Sequence, residues 1–318
     1  MAIDPIRPVA VYAGAGTADY GFSGGHPFGQ DRQDAFLRAL RERELDRQVL
    51  ILDAAPAREA DLLLFHDAYY VGFVRDRCAR EGGYLDMGDT PAEAHIFEAA
   101  LAVAGATLAA AEAVMERRLA RAFVPIGGLH HAARDHAAGF CVFSDIGLAI
   151  EMLRQRHGVR RIAYVDIDAH HGDGVFYAYE DDPDICIADI HQDGRTLYPG
   201  TGHADETGKG AAAGTKLNLP LPAGAGSSDF RQAWKAAEAF VDAAEPEFVI
   251  FQCGADSLAG DPLTALGLSA DDHGFAAERL VMLAEKHAGG RLLALGGGGY
   301  SRPNLGAAWS AVTAALSG

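Results

Sequence analysis

Four short stretches of this 318-residue chain carry histidine, aspartate or tyrosine in patterns that could do chemistry together. They read Gly127-Gly128-Leu129-His130-His131, Asp166-Ile167-Asp168-Ala169-His170-His171-Gly172-Asp173, Cys253-Gly254-Ala255-Asp256 and Gly296-Gly297-Gly298-Gly299-Tyr300. Asp168 and His170 are two apart, so an extended backbone aims both side chains to the same side. A carboxylate with an imidazole suits a borderline divalent ion such as zinc, and Asp256 is the natural third ligand. Three protein ligands leave a position for water, the open geometry of a catalytic metal site. The bland alternative is that Asp168 and His170 merely cap a loop. Three companion clusters weigh against it.

A lone buried histidine is usually a satisfied core residue, but His130 and His131 are adjacent and follow two glycines. Each needs a partner to fix its tautomer, and Asp166 and Asp173 match them in number. Tyr300 closes a run of four glycines. A phosphate-cradling loop is the competing reading, yet no G-x-G-x-x-G or G-K-[ST] pattern is present. A tyrosine on such a turn can instead offer its hydroxyl to an oxyanion.

The elements that must position these residues alternate along the chain. Strands are expected at Arg7–Ala13, Leu62–His66, Ala122–Ile126, Arg161–Asp168, Ile185–His191, Leu217–Leu221, Phe248–Gly254 and Arg291–Leu295. Helices are expected at Asp34–Glu44, Pro91–Arg117, Asp145–His157, Ser228–Ala244, Ala270–His287 and Leu305–Leu316. Such alternation implies a mostly parallel sheet covered on both faces, here in one domain spanning 1–318. Ligands of such sheets bind beyond the carboxyl ends of the strands, and all four clusters follow strand ends.

Composition narrows the function. The chain is 49% apolar, enough for one large core. Met1–Val9 has no apolar stretch of signal-peptide length, and no run reaches the roughly 18 uninterrupted apolar residues of a membrane span. The nearest, Ala99–Met115, reads as a buried helix. The expectation is a soluble, cytoplasmic protein that binds no membrane. A net charge of −17 disfavours nucleic acid and is compatible with cationic substrates. Four cysteines without a C-x-x-C argue against a disulfide scaffold or a cysteine zinc site. Nothing here sets an oligomeric state.

Taken together, the residues resemble the zinc-dependent histone deacetylases and their bacterial relatives, which include acetoin-utilisation proteins and acetylpolyamine amidohydrolases. The matching stretches are GGLHHAARDHAAGF (127–140), YVDIDAHHGDGV (164–175), YPGTG (198–202), CGADSLAGDP (253–262) and LGGGGY (295–300), with GHPFGQDR (25–32) and LLLFHDAYYVGFV (62–74) as looser ones. The resemblance implies an arginase–deacetylase α/β fold with an eight-stranded, mostly parallel sheet and helices on both faces. It implies one Zn2+ on Asp168, His170 and Asp256, and a structural monovalent cation such as K+. It casts His131, paired with Asp173, as general base and then acid, and His130, paired with Asp166, as electrostatic support. Tyr300 would hold the oxyanion. Gly139, Phe140 and Tyr198 would line the acyl-lysine tunnel, with Asp89 on the rim gripping substrate amides.

The implied reaction is hydrolysis of an acetyl amide, with acetyl-lysine in proteins or peptides as the expected substrate and acetylpolyamine as the alternative. Two positions depart from the pattern. Asp189 stands where a serine often helps form the monovalent-cation site. Leu263 stands where a polyamine-selective branch has a gatekeeper glutamate, which favours lysine. A dinuclear manganese hydrolase of the arginase type would place an aspartate at Gly172. An inactive acyl-lysine reader would not need every catalytic position filled.

Overall fold

The structure, a computed structural model, describes residues 8–80 and 82–318. The expectation for Met1–Val9 thus falls mostly outside the described residues, as does Arg7 at the head of the first expected strand. Among the described residues eight strands form one sheet: β1 (Ala10–Tyr12), β2 (Leu50–Leu52), β3 (Arg121–Val124), β4 (Ile162–Asp166), β5 (Ile185–Gln192), β6 (Lys216–Leu221), β7 (Phe248–Gln252) and β8 (Leu292–Leu295). Their order is β2-β1-β3-β8-β7-β4-β5-β6, and every pairing is parallel.

A parallel sheet must be covered on both faces. The helices that do this and join the strands are α1 (Ala15–Ala18), α2 (Arg32–Glu42), α3 (Glu59–Leu62), α4 (Ala68–Ala79), α5 (Ile96–Met115), α6 (Asp145–His157), α7 (Asp173–Ala178), α8 (Ser227–Ala244), α9 (Ala270–His287) and α10 (Arg302–Ser317). Strand residues alternate between two cores. Tyr164, Ile250 and Leu293 pack with α5 and α6 on one face. Val165, Val249, Phe251 and Ala294 pack with α8, α9 and α10 on the other.

Local signals explain several boundaries. Ser144 caps α6 by accepting the Gly147 N–H at 3.1 Å, and Gly158, at φ +67°, ends it. Helix α5 is long and apolar enough to cross a membrane, but 83% of its apolar window is buried in the protein. It is a core helix, as the Ala99–Met115 reading expects.

Two expectations need correcting. Leu62–His66 is not a strand; α3 ends at Leu62 and the chain turns through Phe65. Leu62, Phe65 and His66 are buried while Leu63 is exposed, which is helical spacing rather than alternation. The remaining strand is β2, a three-residue edge strand with Leu50 and Ile51 half-exposed, so burial left little mark on its sequence. Helix α5 also starts later than Pro91, because Pro91 bridges Tyr84 in an antiparallel turn.

Candidate active site and metal centre

Beyond β4 the chain turns so that Asp168 and His170 face Asp256, which sits on a short 3-10 turn after β7. Among the described residues these three form a buried group whose ligand atoms lie within 4.8 Å of one another. His170 Nδ1 lies 3.1 Å from both Asp168 Oδ1 and Asp256 Oδ2. The other carboxylate oxygens are aimed by their neighbours. Asp168 Oδ2 accepts from Gln252 Nε2 at 2.9 Å and from the Gly298 N–H at 2.8 Å, and Asp256 Oδ1 accepts the Ala169 N–H at 2.9 Å.

The electrostatics of this group call for a cation. Burial and the neighbouring Asp168 push the Asp256 carboxyl up to about 7. Burial opposes a charge on His170, but its bonds to Asp168 and Asp256 outweigh burial and raise it to about 10. The two carboxylates thus set a strongly negative field around the imidazole. A divalent ion satisfies the same field with all three side chains as ligands. Glycine leaves the space: a Cβ on Gly254 would stand 2.0 Å from Asp168 Oδ2, and one on Gly298 2.2 Å from Asp256 Oδ2.

The histidine pair sits beside this group. Asp145, itself bonded by Thr107, accepts the Gly128 N–H at 2.9 Å and the Leu129 N–H at 2.8 Å, pinning the turn after β3. His130 Nδ1 meets Asp166 Oδ2 at 2.8 Å, and His131 Nδ1 meets Asp173 Oδ1 at 2.6 Å. Their Nε2 atoms are 3.1 Å apart. Burial opposes ionisation of Asp173, but His131 outweighs it and holds the carboxyl below its ordinary value. Burial and the charges of Asp189 and Asp168 instead push Asp166 well up. The two pairs are therefore electrostatically unlike. Burial, then the adjacent His130, lower His131.

The expected tunnel residues gather around His131. The Tyr198 ring centroid is 5.1 Å from that of His131, and a Cβ on Gly139 would touch both rings. Phe140 faces Tyr300 edge-on at 5.9 Å. Burial and the charges of Asp256 and Asp168 hold the Tyr300 phenol in its protonated form, as an oxyanion donor must be. Asp89 lies on the loop Tyr84–Pro91, whose Thr90 contacts Phe140. Leu263 is 41% exposed, and its N–H is held at 3.0 Å by Asp261, whose other oxygen accepts the Tyr300 N–H at 2.8 Å.

Several supporting residues carried no role in the sequence reading. Gln252 holds Asp168 and also accepts the Gly254 N–H at 2.8 Å. The buried Arg32 guanidinium, pushed down to about 10 chiefly by burial, donates to Gly299 O at 3.0 Å and Gly297 O at 2.6 Å and so braces the glycine turn. Arg32 and Asp261 lie inside stretches that the resemblance already marked; Gln252 closes an apolar strand and gives no signal. At Asp189, Oδ1 meets His191 Nδ1 at 2.7 Å and Oδ2 accepts the Gly172 N–H at 2.9 Å. The chain thus offers an engaged carboxylate, not a serine hydroxyl, where a K+ ligand was expected.

A parallel α/β sheet with this cluster at its carboxyl edge defines a class, and comparison names it: residues 26–316 match the histone deacetylase domain, and the chain belongs to that family. It is a metal-dependent deacetylase fold with amidohydrolase activity. Among relatives, the acetoin utilization protein AcuC of Bacillus subtilis is 37% identical over 88% of this chain and 74% of its own length. The histone deacetylase-like amidohydrolase of Pseudomonas aeruginosa is 35% identical over 86% of this chain and 72% of its own. The crystal structure of the HDA15 HD domain superposes with a TM-score of 0.89 at 27% identity, covering 98% of this chain and 88% of that one.

Proposed function

We propose that this protein is a zinc-dependent deacetylase of acetyl-lysine in peptides or proteins. The observation that carries the reading is the buried Asp168–His170–Asp256 group beside two carboxylate-paired histidines. Zinc suits a set of two carboxylates and one imidazole. When bound there, the ion supplies polarisation of the acetyl carbonyl and a lower pKa for the attacking water.

The protein's own groups do the rest. His131 borders Gly139 and Tyr198 on the tunnel side, so it is the base that takes the water proton. Asp173 fixes its Nδ1, leaving Nε2 for the reaction. Tyr300 donates its hydroxyl to the oxyanion. His131 then returns the proton to the departing amine. His130 lies deeper, between Asp166 and Gln252, and supports the charge distribution without touching the leaving group.

A groove of about 550 Å³ lined by His26, Pro262, Tyr300 and Arg302 runs beside the site. It offers room for the residues that flank an acetyl-lysine. The negative net charge suits either substrate. The test is hydrolysis of a fluorogenic acetyl-lysine peptide, with chelator and with zinc restored, beside acetylputrescine, acetylcadaverine and acetylspermidine. Activity on the peptide that chelator abolishes and zinc restores is expected. Turnover confined to the polyamines would overturn the substrate reading, and chelator-insensitive turnover the metal reading.

A further inference from the structure

The loop that carries Asp89 and the turn that carries Phe140 are bonded into one unit. Gly139 and Phe140 are the central residues of a two-residue turn closed by mutual backbone bonds between Ala138 and Cys141. Both central residues have positive φ, +52° for Gly139 and +69° for Phe140. Glycine takes that conformation freely, whereas a phenylalanine is strained by it and must be held there.

Two hydroxyls hold it. The Phe140 N–H donates to Thr90 Oγ1 at 3.0 Å, and the Phe140 carbonyl accepts from Tyr20 Oη at 2.8 Å. Thr90 is fully buried, and its hydroxyl donates in turn to Asp86. Asp86 Oδ1 gathers the loop by accepting the N–H groups of Gly88 at 3.0 Å, Asp89 at 3.1 Å and Thr90 at 2.9 Å. His26 closes the circle. Its Nδ1 accepts the Phe28 N–H, so its Nε2 donates, to Asp89 O at 3.1 Å, while its ring packs edge-on against Phe140 at 4.5 Å.

We infer that Asp86 and Thr90 are positioning residues that hold Phe140 in its strained conformation and lock the rim loop to the tunnel wall. The inference rests on the proposed reading of Phe140 as a wall of the acyl-lysine tunnel. Preorganising a wall lowers the ordering cost of binding without touching the reacting atoms. Loss of the link therefore raises KM and spares kcat.

The test is steady-state kinetics on an acetyl-lysine peptide for Thr90→Val, Thr90→Ser, Asp86→Ala, the Asp86→Ala/Thr90→Val double variant and Phe140→Ala. Thr90→Val is expected to raise KM about five- to tenfold, the worth of one buried hydrogen bond, with kcat within about twofold. Thr90→Ser restores the wild-type KM because it keeps the hydroxyl. The double variant is no worse than the more impaired single, because both cut the same chain of bonds. Thr90→Ala, which adds no bulk, carries the test should Thr90→Val not fold. An unchanged KM in Thr90→Val beside a raised KM in Phe140→Ala overturns the inference, as does a parallel fall of kcat and thermal stability that Thr90→Ser does not rescue. If Phe140→Ala itself leaves KM unchanged, the tunnel-wall reading fails instead.

Discussion

Replacing Gly298 with alanine tests the metal centre by the addition of one carbon. Gly298, unlike Gly297 and Gly299, has no positive φ, so alanine brings no backbone strain. Its Cβ would stand 2.2 Å from Asp256 Oδ2 and 2.8 Å from Asp168 Oδ2. Relief of the first contact moves the Asp256 oxygen by about 0.8 Å. The backbone cannot retreat cheaply instead, because the Gly298 N–H holds Asp168 and its carbonyl accepts the Ala255 N–H at 2.9 Å. Carboxylate–zinc bonds span only about 2.0–2.2 Å, so a shift of that size takes a ligand out of reach. Zinc affinity is expected to fall by more than about 100-fold, and kcat/KM by at least as much. Metal content per chain and a competition titration against a chromophoric chelator measure the first; peptide turnover measures the second. Gly274→Ala on α9, where a Cβ meets nothing nearer than 3.4 Å, serves as the neutral control. A Gly298→Ala protein that binds one zinc with wild-type affinity and turns over normally would refute the placement of the ion between Asp168 and Asp256.

Tyr300→Phe should fold and keep its zinc while kcat falls by about 100- to 1000-fold, roughly 3–4 kcal/mol of lost oxyanion stabilisation; full turnover would remove Tyr300 from the reaction. Asp261→Ala frees the backbone beneath Tyr300 and should cost kcat about tenfold with zinc retained, and an unchanged kcat contradicts that positioning. Burial and His130 lower His131, and a bound divalent ion acts in the same direction. The neutral base therefore persists to lower pH, and the acid limb of the kcat/KM profile should fall below the ordinary imidazole value of about 6.5. A limb above it would exclude His131 as the base. Stripping the metal leaves two buried carboxylates, Asp168 and Asp256, offset only by neighbouring histidines and hydrogen-bond donors. Thermal stability should therefore drop reversibly, by about 4 kcal/mol relative to protein at a thousandfold excess of zinc over Kd; a melting curve indifferent to chelator and zinc would contradict the site.

Much of this site was legible because catalysis constrains side-chain type at strand ends. Asp168, His170 and Asp256 come together in space although 86 residues separate His170 from Asp256, and parallel strands alone bring their ends to one edge. Helices with strong end signals were readable to the residue, as at α6 between Ser144 and Gly158. The half-exposed edge strand β2 was not, because nothing packs on it strongly enough to pattern its residues. Leu62–His66 misled because a short apolar run fits a strand and a helical turn equally. The supporting groups were illegible for another reason. Gln252, Thr90 and Asp86 act through hydrogen bonds that only the folded chain brings together, as when Gln252 reaches Asp168 across 84 positions and Thr90 reaches Phe140 across 50.

The position of β8 makes a late stretch of the chain the link at the middle of the sheet. This strand, close to residue 295, lies between β3 and β7, so it joins the β2-β1-β3 part of the sheet to the β7-β4-β5-β6 part. The glycines that follow it complete the wall around Asp168 and Asp256. One stretch of chain therefore both ties the sheet together and finishes the cavity in which Asp168, His170 and Asp256 meet.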